Sequence, residues 1–287
     1  MTEPMQRPYP LAATALVLGG CGQLDTMFID PPLRPEQWCL ARPCSDLGGF
    51  VLDEPLGSLL VYSLAGLFIF AGMRLRQSRG TQRSRAWWSW SLLLGGVAAG
   101  LAGTSYQAFG YELKCSGHEL CVWTNWFEVA YMALQNLSVD CMVVAVAYSC
   151  TRGSSRRLLL AYAGINAAAH LLVTAYGIAT AQPFLLSFEL LLLFSSPAFV
   201  VALGLNAVRY VQLRQPLDRA LLGAWGWLFA TNAAYYGYLL AGVTETLWRG
   251  GAGFYFSEND VLHVGMIGWV LYLHFAVVPR LRDRGAS

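Results

Sequence analysis

The chain has 287 residues, of which 56 % are hydrophobic and only 13 % charged, about half the charged share of an ordinary soluble domain. That excludes a soluble enzyme, a disordered chain and a collagen-like fibre, and leaves a polytopic membrane protein. A net charge of +2 without a dense basic block excludes a nucleic-acid partner, and the single lysine, Lys114, read here in a polar loop, excludes a retinal protein, which needs a lysine inside its bundle.

Residues 9–20 (YPLAATALVLGG) are apolar but too short to span, and they precede Cys21 in the string Leu18-Gly19-Gly20-Cys21. The string resembles a lipoprotein cleavage site only loosely, and the segment reads as an uncleaved outer cap or a re-entrant piece. Further along, a spanning helix needs about 20 apolar residues. Seven windows meet that need, near 56–73, 86–106, 123–149, 158–180, 184–208, 220–243 and 261–278, separated by Gly, Pro and charge clusters. The runs are continuous rather than alternating, so spanning strands are not expected. The expected fold is all-α: a seven-transmembrane helix bundle over 56–278, an extracytoplasmic cap with disulfides over 1–55, and a basic cytoplasmic tail over 279–287.

Arginines orient the bundle. Arg74, Arg76, Arg79, Arg83 and Arg85 follow window 1; Arg152, Arg156 and Arg157 follow window 3; Arg209, Arg214 and Arg219 follow window 5; Arg280, Arg282 and Arg284 follow window 7. The opposite side holds only Arg7, Arg34, Arg42, Lys114 and Arg249. The positive-inside rule puts the N-terminus outside and the C-terminus in the cytoplasm, as in a multi-pass protein of the plasma (inner) membrane. On the outer, oxidising side, Cys39, Cys44, Cys115 and Cys121 are expected in disulfides, either as local pairs or crossed between the two loops, with a metal knuckle as the rival reading that their spacing favours less. The tryptophan clusters (Trp87, Trp88, Trp90; Trp123, Trp126; Trp225, Trp227) read as interfacial belts.

Ionisable groups inside apolar helices are rare and mark function. Here they are Glu128, Asp140, His170, Glu189, His263 and His274, with Glu54, Gln107, Asn259 and Asp260 at helix mouths. Asp140 and His170 lie deeper and are expected in interhelical hydrogen bonds. Glu54, Gln107, Glu128, Glu189, Asn259, Asp260 and His263 fall at a similar outer depth on five helices, the pattern of a shared polar pocket. Taken singly, each is better accounted for by snorkelling or one interhelical bond. Asn259 or Asp260 also reads as a helix cap, and Ser105, in Gly103-Thr104-Ser105-Tyr106-Gln107, as a close-packing residue or a pocket hydroxyl.

Three strings carry a family resemblance: Trp38-Cys39 with Asp53-Glu54-Pro55; Gly103-Thr104-Ser105…Phe109; and Asn259-Asp260-Val261-Leu262-His263 with Tyr272-Leu273-His274. In order and spacing they resemble the alkaline ceramidase group of the CREST superfamily, seven-helix membrane hydrolases that hold zinc on three histidines and cleave a lipid amide. The resemblance implies Ser105 as the family serine, Glu128 in place of the third-helix aspartate, His263 as a zinc ligand and Glu54 as an acid that binds calcium in some relatives. It departs where the second-helix histidine is missing and where Asn259 replaces the first histidine of the seventh-helix pair. A substitute zinc set would be Glu128, Asp260 and His263. Two functions follow: a divergent hydrolase of a lipid amide or ester, with Ser105, Glu128 and His263 catalytic and Glu54, Gln107, Glu189, Asn259 and Asp260 binding; or a non-catalytic lipid-binding protein or accessory subunit of a larger membrane complex.

Overall fold

The computed structural model describes residues 21–250 and 253–284. The apolar segment 9–20 lies outside them. Seven long helices dominate: α1 (Pro55–Gln77), α2 (Arg83–Gly103), α3 (Trp126–Cys150), α4 (Gly153–Thr180), α5 (Phe188–Leu213), α6 (Pro216–Leu240) and α7 (Glu258–Tyr272). They fall on the seven windows. Five of them, α1, α3, α4, α5 and α7 with its helical continuation to Arg280, are long and apolar enough to cross a membrane. In α2 and α6 the apolar content is diluted by Trp, Ser, Gly, Tyr and Asn. A two-stranded antiparallel hairpin, β1 (Cys44–Asp46) and β2 (Val51–Asp53), leads into α1.

Helix starts follow local chemistry. Proline occupies the first position of α1 and α6, where its missing N–H loses nothing. Asn125 caps α3 by accepting from the Phe127 N–H, and Ser187 caps α5 by accepting from the Leu190 N–H. The cap of α7 is Ser257, not Asn259 or Asp260: Ser257 Oγ accepts from the Asp260 N–H while Asp260 Oδ2 accepts from the Ser257 N–H, a reciprocal capping box.

Helix α2 packs between α1 and α3, and α6 packs against α5 and α7. The apolar core runs along these seams. Two residues of the expected interfacial belts belong to it instead: Trp88 and Trp225 are buried and stack on each other at 6.4 Å, because each lies on the core-facing side of its helix. Trp87, Trp90 and Trp126 are exposed. Helix α4 leaves Leu158, Ile165, Leu172 and Tyr176 exposed along one flank, an apolar surface that water would penalise.

The end of the bundle that carries the hairpin is the cap end; the opposite one is the basic end. At the basic end α7 continues through a π-turn (Leu273–Val277), and the tail folds back rather than trailing free. Asp283 accepts from the Arg83 and Ser84 N–H groups at 2.7 and 2.8 Å, satisfying the orphan donors of α2. Buried beside it, Arg209 Nε pairs with Asp218 Oδ1 at 2.9 Å, and Asn206 Nδ2 donates to the same oxygen at 3.0 Å. Cys39–Cys44 and Cys115–Cys121 form disulfides, the local pairing, while Cys141 and Cys150 are free. Asp140 accepts from Asn166 of α4 at 3.0 Å and from Asn136 of its own helix, as an interhelical bond requires. Among the described residues His170 has no such bond: its Nδ1 has no partner there and its ring packs edge-on against Phe194.

Candidate functional site

The cap end gathers polar side chains because the ends of α1, α2, α3, α5 and α7 and the hairpin meet there. The hairpin delivers Asp53, fully buried, which accepts from Trp38 Nε1 and from the Tyr111 N–H, both at 2.9 Å. Gly110 stands against this carboxylate: a Cβ there would lie 2.7 Å from Asp53 Oδ2 and 2.8 Å from the Ser105 carbonyl, so only glycine permits the approach. Burial raises the Asp53 carboxyl above its ordinary range.

Glu54 follows in the left-handed region at φ 36°, an unusual conformation for a residue with a side chain, held by its N–H donating to the Pro43 carbonyl at 2.9 Å. Its Oε1 lies 3.4 Å from Arg42 Nη1 and accepts from the Tyr255 hydroxyl at 3.2 Å; its Oε2 has no partner among the described residues. Burial pushes the Glu54 carboxyl up to about 7 against the pull of Arg42.

The end of α2 is a π-turn, Thr104–Ala108, closed by the Phe109 N–H donating to the Thr104 carbonyl. Residues two apart on a helix do not share a face, and this decides the site. Ser105 faces α3: its Oγ donates to Glu128 Oε1 and accepts from Asn125 Nδ2, both at 2.7 Å. Gln107 faces α1: the position of a Cβ on Gly57 lies 3.2 Å from Gln107 Cγ, 3.1 Å from Asp260 Oδ1 and 3.4 Å from Glu54 Oε2. The expected single pocket is therefore two clusters back to back on one π-turn.

The first cluster, Ser105–Glu128–Asn125, includes Lys114. The sequence reading placed this lysine in a polar loop. It is buried, ion-paired with Glu128, and donates to the Trp123 carbonyl at 3.1 Å. Nothing in its local sequence signals this, because the disulfide Cys115–Cys121 and the packing against α3 turn it inward. The cluster lines a cavity of about 390 Å³ with Glu189, Arg42 and the rings of Trp38, Tyr106, Trp123 and Phe188.

The second cluster, Glu54–Gln107–Asp260, leaves one buried acceptor on each member without a partner among the described residues: Glu54 Oε2, Gln107 Oε1 and Asp260 Oδ1. His263, one turn along α7 from Asp260, lines a mostly apolar cavity of about 180 Å³ inside the bundle, with Val61, Leu64, Phe68, Leu191 and Leu228, and its Nδ1 has no partner among the described residues. Phe188 stands in the wall of both cavities. Asn259 is half-buried on the first turn of α7.

Glu128, Asp260 and His263 thus do not form one donor set. Glu128 is held by Ser105 and Lys114, and one oxygen of Asp260 by the Ser257 cap. Among the described residues no group of three His, Cys, Asp or Glu side chains is placed to hold a metal ion.

A family model described as a family of unknown function, DUF6962, matches residues 58–282. The chain belongs to DUF6962. No curated protein and no solved structure matches. The DUF6962 match begins within α1, after Asp53 and Glu54, and takes in the other six long helices with Ser105, Gln107, Lys114, Glu128, Glu189, Asp260 and His263.

Proposed function

We propose that this DUF6962 member is a seven-helix, multi-pass protein of the plasma (inner) membrane, cap end outside and basic end cytoplasmic, that binds an amphiphilic lipid at its cap end without a zinc site. One observation carries the reading: a polar cavity of about 390 Å³ and an apolar one of about 180 Å³ share Phe188 in their walls, one beside charged groups and the other within the bundle. A lipid headgroup fits the first and its chain the second. The resemblance to alkaline ceramidases then describes layout rather than catalysis.

Lipid extraction and mass spectrometry of the purified protein test this. A co-purifying lipid is expected; Ser195→Phe, which fills the apolar cavity, removes it, and Leu193→Phe on the exposed side of the same helix does not. A lipid-free protein, or equal lipid in both variants, rejects the reading. A C-terminal reporter that is active outside the cytoplasm rejects the orientation.

A hydrolase remains the second reading, favoured by the 2.7 Å bond from the Ser105 hydroxyl to the Glu128 carboxylate beside the larger cavity. Release of fatty acid from a lipid amide or ester, lost in Ser105→Ala, would support it over simple binding.

A further inference from the structure

The basic end carries an open cavity of about 340 Å³ between the last turn of α1 and the end of α7, lined by Arg74, Leu75, Gln77, Ser78, His274 and Val278. Its lining offers a guanidinium, an imidazole and an amide and, among the described residues, no carboxylate. Arg74 is exposed and has no ion-pair partner among the described residues. Arg76, two residues on, is turned away over the Trp90 ring at 4.6 Å. Behind the wall, Arg85 donates to the Ser78 carbonyl at 3.0 Å and to the Leu281 carbonyl at 3.2 Å.

The charge balance of this corner is positive. Among the described residues the acids of the basic end are Asp218, paired with Arg209, and Asp283, which accepts from the Arg83 and Ser84 N–H groups. With Asp283 counted against Arg85, the charge of Arg74 is left over. The end of α1 does not oppose an anion with bare carbonyls: those of Arg74, Leu75 and Ser78 accept from the Ser78 N–H, the Ser78 hydroxyl and Arg85.

The surface beside the cavity is apolar. Phe70 precedes Arg74 by four residues and Leu271 precedes His274 by three, spacings that put each on the cavity side of its helix, one turn toward the middle of the bundle. Both are exposed, as is Phe275, against which the His274 ring packs edge-on at 5.0 Å. A free phosphate gains nothing from such a flank, whereas a phospholipid lays its acyl chains along it.

We propose that this cavity is a second lipid site, opposite the cap end, that holds the headgroup of an anionic phospholipid, its phosphate between Arg74 and His274 and its chains along Phe70 and Leu271. Basic pockets between helices at the cytoplasmic face suit such headgroups. The site shares no lining residue with the two cap-end cavities and does not depend on what they bind.

Native mass spectrometry tests this on the full-length protein, purified in an uncharged detergent and titrated with phosphatidylglycerol or phosphatidylcholine of the same acyl chains. Phosphatidylglycerol is expected to bind about fivefold more tightly, the worth of one arginine beside an anionic headgroup. Arg74→Gln removes that preference and Arg74→Lys keeps it. Arg157→Gln, which takes the same charge from the exposed start of α4 at the same end, leaves it intact, and so does Ser195→Phe, which fills the apolar cavity near the cap. Equal binding of the two lipids overturns the assignment, as does a preference that Arg157→Gln lowers as much as Arg74→Gln, the mark of diffuse attraction to the basic end. Glycerol phosphate, a headgroup without chains, is expected not to displace the lipid at equal concentration; displacement would mean that the cavity takes a free phosphate, and the lipid assignment fails. A preference lost in Ser195→Phe would put the anionic lipid at the cap end instead.

Discussion

At the scale of single residues, Glu54 combines three unusual conditions: a left-handed backbone, a buried carboxylate and an oxygen without a partner among the described residues. Its carboxyl is raised from an ordinary 4.5 to about 7, so the folded state holds the proton more tightly than the unfolded chain does. The stability this brings is complete below pH 4.5 and is lost as pH rises through 7, a change on the order of 3 kcal/mol. Arg42 and Tyr255 face the same carboxylate and are common to wild type and variant. Thermal unfolding of wild type and Glu54→Gln across pH 5–8 should therefore diverge, the wild type losing ground as pH rises. Parallel curves would show that Glu54 does not titrate in this range. Gly110 gives a steric counterpart. Gly110→Ala places a methyl 2.7 Å from Asp53 Oδ2 and 2.8 Å from a backbone carbonyl, neither of which can swing away. A loss of roughly 1–3 kcal/mol is expected from such overpacking, seen as a lower melting temperature.

At the scale of elements, the ion pair between the short helix Gly110–Lys114 and α3 ties the cap to the bundle. Removing one partner of a buried pair strands the other, so Lys114→Met alone should cost about 3–5 kcal/mol. Lys114→Met with Glu128→Met should cost less than Lys114→Met alone, although Ser105 and Asn125 lose an acceptor network in the process. Denaturant titration of the single and double variants in detergent separates these outcomes; a double variant worse than the single would show that Glu128 matters chiefly through Ser105. The π-turn at Thr104–Ala108 has its own consequence. It ends α2 with Ser105 and Gln107 on opposite faces, which is why one short segment serves both α3 and α1.

At the scale of the whole molecule, the two ends are built differently. The cap end gathers the carboxylates and amide around the π-turn of α2, while at the basic end the tail folds back onto α2 and α3. Asp283 bonds the first two N–H groups of α2, and Arg284 reaches the Tyr148 and Cys150 carbonyls at the end of α3, both at 2.9 Å. Asp283→Ala should cost about 1 kcal/mol as a lost helix cap and expose residues 281–284 to protease, with lipid content at the distant cap end unchanged. Protease resistance equal to wild type would show that the tail is held by Arg284 and Leu281 instead.

The seven helices were legible in the sequence because a window of some twenty apolar residues can hardly be folded otherwise, and the polar residues at their ends stood out against that background. Local disulfide pairs were among the open alternatives for the same reason: short spacing makes them easy to close. What only the tertiary structure decided is which polar group meets which. Ser105 and Gln107 part company because a helix turns about 100° per residue, Asp260 gives one oxygen to Ser257, and Glu128 takes Lys114 rather than His263. Trp88 and Trp225 join the core because their faces, not their positions near helix ends, choose their neighbours. Composition and hydropathy are properties of segments and survive in one dimension; the direction in which a side chain points depends on how helices rotate against each other, and that is set by packing between residues far apart in the chain.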